Sequence, residues 1–193
     1  MAPRIWVAYS RIRDIPAAAL LRLRGQLPQK DRHRLARIHS HRRRREFLAA
    51  RWLLGASQLV RSATGAWRHS LSHSGGWVAC ALVRRGRLGI DIEPIVDRDF
   101  SAVGSWAFPD DAVEPWRNDE PDPRKSFYRR WTRYEARIKA GDSASLVERT
   151  WFIEGIALSI SAPWSLAVQV GTPRRWHPTS GFVTRPWLRQ SPG

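Results

Sequence analysis

The stretch Ile90-Asp91-Ile92-Glu93 alternates apolar and acidic side chains. A period of two belongs to a strand, so Ile90 and Ile92 share a face that must be buried while Asp91 and Glu93 share the other. The two carboxylates then stand about 6 to 7 Å apart along the chain. Just upstream, the unbroken apolar run Trp77–Val83 reads as a buried strand. Ser72-His73-Ser74-Gly75-Gly76 reads as the turn that feeds it, and Arg84-Arg85-Gly86-Arg87 as a hairpin turn into the acidic strand.

Around this pair the chain alternates helical and strand patterns. The apolar residues 5–9 predict a first strand, and 16–23 a helix. Pro28 opens a basic stretch that ends in Arg42 to Arg45 and leads into a buried helix, ending near Ser62, that carries Phe47, Leu48, Leu54 and Leu59. Phe127, Trp131, Tyr134 and Ile138 lie at helical spacing and predict an amphipathic helix over 125–140. Strands are expected over 151–160 and 164–170, and the tail from Pro173 is expected to be irregular. Leu71-Ser-His-Ser-Gly-Gly-Trp77 is echoed by Leu158-Ser-Ile-Ser-Ala-Pro-Trp164, each preceded by a helix. The expected class is therefore α+β: two similar halves, 1–97 and 98–193, related by a pseudo-twofold axis, with a cleft between them as the natural ligand site.

A chain of 193 residues with 42% hydrophobic content can bury one sizeable core or two small ones. No signal peptide or membrane span is visible, and the single Cys80 has no disulfide or metal partner, so a cytoplasmic location and a monomer are expected. The formal net charge of +16 comes almost wholly from arginine, since lysine occurs only at Lys30, Lys125 and Lys139. Such a field attracts anions: nucleic acid, anionic lipid, a phosphorylated cofactor or an acidic protein. Arginine-rich codon usage is the competing explanation.

Side-by-side acids on one strand face suit magnesium, which is commonly held by one or two carboxylates plus substrate phosphates. An exposed strand end with solvated acids is the alternative. Glu135 and Lys139 are adjacent on one helix face, either as an ion pair contributing about 0.2 to 0.5 kcal/mol or as a third metal ligand beside a phosphate clamp. His73 is either a turn residue or a phosphate contact, and Arg51 either lays its stem on apolar neighbours or presents a guanidinium to a phosphate.

Ser72-His73-Ser74-Gly75, Gly89-Ile90-Asp91-Ile92-Glu93 and Trp131-Thr-Arg-Tyr-Glu135-Ala-Arg-Ile-Lys139, in this order, resemble the surfactin-type 4'-phosphopantetheinyl transferases over roughly residues 28–170. Arg51-Trp-Leu-Leu-Gly55 is similar to the family's upstream arginine helix. Tyr134 stands where the family usually has lysine, its Gly-Lys-Pro segment before Ser-His-Ser is absent, and Gly141-Asp-Ser-Ala-Ser-Leu146 replaces its Gly-x-Gly-Leu.

The resemblance implies that Asp91, Glu93 and Glu135 ligate magnesium and that Lys139 holds the pyrophosphate of coenzyme A. It implies that Arg51 and His73, with Ser72 of the same motif, bind the adenosine 3'-phosphate end. Glu135 or a water molecule would accept the proton of a serine on an acidic acyl or peptidyl carrier protein. Phosphopantetheine would move to that serine, as in fatty acid, polyketide and nonribosomal peptide biosynthesis, with Trp106, Phe108 and Trp116 offering an apolar docking surface. The rival readings are a nucleic-acid-binding protein built on the arginine run, and a carrier-binding relative without turnover.

Overall fold

The computed structural model describes residues 4–59, 67–100, 103–104, 108, 121–141, 146–163 and 167–171. The expected docking residues Trp106 and Trp116, the span 61–66 and the tail from Pro173 lie outside them. The fold is α+β, with strands β1 (Arg4–Arg11), β2 (Arg68–Ser74), β3 (Trp77–Val83), β4 (Gly89–Pro94), β5 (Leu146–Ile153), β6 (Ile156–Pro163) and β7 (Ala167–Gly171). The helices are α1 (Ala17–Gln26), α2 (Gln29–Ala36), α3 (His41–Leu59) and α4 (Pro123–Ala140). One sheet has the order β2-β3-β1-β7 and the other β4-β6-β5.

The layers follow from which faces are apolar. Ile5, Val7 and Tyr9 of β1 pack with Ala79 and Ala81 of β3 against Ile90, Ile92, Leu158 and Ile160, closing a dry core between the sheets. The opposite face of the first sheet, through Ala8, Val78, Cys80 and Leu82, receives Leu53 of α3 together with Ala49 and Ala50, whose small side chains let the helix lie close. Cys80 is buried there, and burial pushes its thiol to about 12, so it has no nucleophilic role near neutrality. The far face of the second sheet receives Phe127 and Tyr128 of α4 against Ala157. Asp122 caps α4 by accepting a 2.9 Å bond from the Arg124 amide, Pro123 fits its first turn, and Gly141 ends it at φ 88°.

Three expectations are corrected. Residues 84–87 do not form a hairpin turn: β3 already pairs with β2 along one edge and β1 along the other, so β4 has no free edge there and crosses to β6. The span expected as one strand over 151–160 is two, because Glu154 and Gly155 take consecutive positive φ values of 50° and 78°, as a two-residue hairpin loop requires. The echo between Leu71–Trp77 and Leu158–Trp164 is not a structural equivalence. The first copy crosses the β2–β3 turn, whereas Leu158 to Pro163 lies along β6. Helix bounds also shift, from 16–23 to Ala17–Gln26 and, for α3, to a start at His41.

The sheets do not divide the chain at residue 97: β4 joins the second sheet, and β7 returns to run parallel with β1. Among the described residues no helix is long and apolar enough to cross a membrane.

Candidate active site

β2 and β4 are edge strands of different sheets, and a row of serines joins them. Ser70, Ser72 and Ser74 alternate along β2 and so share one face, while His69, Leu71 and His73 take the face toward α3. Ser70 Oγ accepts the Ile90 amide at 3.1 Å, Ser72 Oγ donates to Asp91 Oδ1 at 2.7 Å, and Ser74 Oγ donates to Glu93 Oε2 at 2.6 Å. The Ser-His-Ser segment was expected as a turn, but it is strand. Its three residues pair with Ala79, Val78 and Trp77, and the turn itself is Gly75-Gly76. Its backbone is extended and paired with β3 along one side, not curled into a phosphate nest.

Helix α4 lies directly on the start of β4: a Cβ on Gly89 would overlap the Ala136 carbonyl. This contact brings Lys139 to the seam, where Nζ donates to Asp91 Oδ1 at 2.7 Å, Ser72 Oγ at 3.1 Å and the Ile90 carbonyl at 3.3 Å. The intrahelical pairing with Glu135 is not made. Lys139 takes the carboxylate of a neighbouring element, and Glu135, half-buried one turn earlier, has no hydrogen bond or ion pair to another described residue.

Asp91 is 3% exposed, and its Oδ2 is buried with no hydrogen-bond partner among the described residues. Burial lifts its pKa above the ordinary carboxylate range, against the opposing pull of Lys139 and Ser72. Glu93 is raised too, first by burial, with Asp91 adding repulsion and Ser74 resisting. Two neighbouring carboxylates made costly to ionise, one with an unused oxygen, form a hard-oxygen donor pair that a divalent cation would relieve. Among the described residues no group of three His, Cys, Asp or Glu side chains could hold a metal ion, so Asp91 and Glu93 stand as a pair and Glu135 is not placed with them.

Of the residues assigned to the 3'-phosphate, Ser72 lies at this seam, while Arg51 and His73 lie around α3. Arg51 grips Asp31 through Nε–Oδ2 at 3.1 Å and Nη2–Oδ1 at 3.0 Å, and its guanidinium covers the Phe47 ring at 4.2 Å. His73 Nδ1 is 3.5 Å from Glu46 Oε2, and that buried carboxylate also meets Arg42 at 3.5 Å. Neither Asp31 nor Glu46 belongs to the motifs above; the signal for Glu46 is an acid at the apolar end of a run of arginines. Ser74 belonged to the motif without being given a role. Phe108, expected on a docking surface, is instead buried edge-on against Trp131 and Tyr134, with Arg130 over its face. Tyr134 makes this contact from the position where the resembling family has lysine. No protein-family model matches the chain, and no curated protein matches its sequence.

Proposed function

We propose that the protein transfers the 4'-phosphopantetheine group of coenzyme A to a serine of an acidic carrier protein in a magnesium-dependent reaction. The observation that carries this reading is buried Asp91, bound to Lys139 and retaining an unpaired carboxylate oxygen, beside half-buried Glu93 on the same strand face. In support, the strand order β5-β6-β4 repeats β2-β3-β1, each set with its own helix packed on it. On this reading the two sets are the pseudo-twofold halves, and the β2–β4 seam lines the cleft between them.

Asp91 and Glu93 would hold the ion, which when bound neutralises charge on the pyrophosphate. Lys139, whose three donors go to Asp91, Ser72 and the Ile90 carbonyl, would exchange one of these bonds for a phosphate oxygen. Glu135 has no partner among the described residues and accepts the proton of the carrier serine. The serine oxygen bonds to the β-phosphorus, the bond to adenosine 3',5'-bisphosphate breaks, and that nucleotide leaves with the electron pair. No nucleophile is needed on this chain.

The decisive experiment incubates the protein with coenzyme A, magnesium and several acidic apo-carriers and weighs the carriers by mass spectrometry. Mass addition that requires magnesium and disappears in Glu135→Ala is expected. Unmodified carriers beside a folded protein would remove the reading. A second reading, nucleic-acid binding, is favoured by the exposed Arg32, Arg34, Arg37, Arg42, Arg43 and Arg45 of α2 and α3. It predicts retention on DNA or RNA that falls steeply with salt and ignores magnesium and the Asp91 side chain.

A further inference from the structure

Arg51 and His73, which the resemblance assigns to the 3'-phosphate of coenzyme A, already face a carboxylate of this chain. Arg51 uses two guanidinium nitrogens on Asp31, a fork-to-carboxylate geometry that is among the stronger protein hydrogen bonds. The stack on Phe47 restrains the guanidinium further. Hydrogen bonding from Arg51 holds the Asp31 carboxyl below its usual range, so it stays ionised at neutral pH and does not release Arg51 by taking a proton. Glu46, beside His73, is 6% exposed and is held by Arg42 as well. Burial lowers the His73 pKa, with Lys139 and Arg51 acting in the same direction and Glu46 opposing, so the imidazole is short of positive charge near neutrality.

A phosphate dianion brought to these two side chains would have to displace one carboxylate and approach another. We propose that, in the transferase reading on which this rests, the protein does not read the 3'-phosphate, and that Asp31 and Glu46 are the residues that mask it. The donor class is then phosphopantetheine-bearing adenine nucleotides with or without that phosphate, including 3'-dephospho-coenzyme A. The exposed arginines of α2 and α3 are solvated, and such pairs discriminate weakly.

The test compares kcat/KM for coenzyme A and 3'-dephospho-coenzyme A with one carrier and magnesium. Calorimetric binding of adenosine 3',5'-bisphosphate and adenosine 5'-monophosphate gives a readout independent of turnover. The parent protein is expected to favour the 3'-phosphorylated member of each pair by less than about tenfold, or about 1.4 kcal/mol. Asp31→Asn, which frees the Arg51 fork, is expected to raise both preferences above that mark. A parent preference beyond tenfold, or an Asp31→Asn variant with unchanged ratios, overturns the inference while leaving the transferase reading in place. Neither donor binding nor reacting removes the reading, and the inference with it.

Discussion

Asp91→Asn is expected to reduce phosphopantetheine transfer by about 10³-fold or more while melting at or above the temperature of the parent protein. The loss follows from removing one of two cation-holding carboxylates, since metal-borne charge stabilisation of several kcal/mol corresponds to about three decades in rate. The retained stability follows from the direction of the Asp91 shift. A carboxylate whose folded pKa is raised binds more protons in the native than in the unfolded state, so its contribution to stability falls as pH climbs from the ordinary carboxylate range through the raised value. Asparagine keeps an oxygen for Ser72 and lacks that penalty. Lys139 loses its ion pair, but its side chain is 32% exposed and water can reach it. Melting curves at pH 4.5 and pH 7.5 separate the effects: the variant should gain on its parent at the higher pH and lose that gain at the lower. A variant that transfers normally, or that melts far below its parent at pH 7.5, would show that Asp91 is a structural acid.

Gly89→Ala should be the most destabilising single-methyl change among the described glycines, by about 3 kcal/mol or more in urea denaturation. Overpacking usually costs about 1 to 3 kcal/mol when side chains can yield. Here the obstacle is the Ala136 carbonyl within a helix, flanked by the backbone nitrogen of Ala140 at 2.8 Å from the added carbon, and neither can swing away. Relief requires α4 to lift from β4, which withdraws Lys139 from Asp91 and Ser72, so transfer should fall with stability. A variant within about 1 kcal/mol of the parent would mean that α4 does not rest on β4 at this point.

Local pattern was enough to find α4, expected over 125–140 and observed as Pro123–Ala140 between a Pro-Asp-Pro start and a glycine stop, but not its buried face: Tyr134 and Ile138 of the expected apolar stripe are exposed, and Phe127, Tyr128, Thr132 and Ala136 are buried instead. It was also enough to put Asp91 and Glu93 on one face, since Ile90 and Ile92 demanded the other. What local pattern does not carry is the choice of partner. The turn residues at 84–87 are genuine, but whether they fold β4 back on β3 depends on β3 having a free edge, and β1 from the far N-terminus has taken it. Lys139 could equally have met Glu135 one turn away; the close approach at Gly89 sends it to Asp91 instead. Asp31 in α2 and Arg51 in α3 lie twenty residues apart across a helix break, so no helical spacing links them. The Glu154-Gly155 loop was visible in principle, a glycine between two β-rich runs, but it was absorbed into one long strand.

The return of β7 to β1 also orders events in time. Arg4 pairs with Ala167 and Ile5 with Val168, so the first strand made on the ribosome meets one of its neighbours only after residue 171 has emerged. Until then β1 has one open edge, and the β4-β6-β5 sheet that covers its apolar face is incomplete until β6 is made. Such pairing between distant segments is slow and leaves strand edges available to other nascent chains. Neither sheet can therefore be harvested alone: yield in a cell should depend on how well the unfinished first sheet is shielded during synthesis.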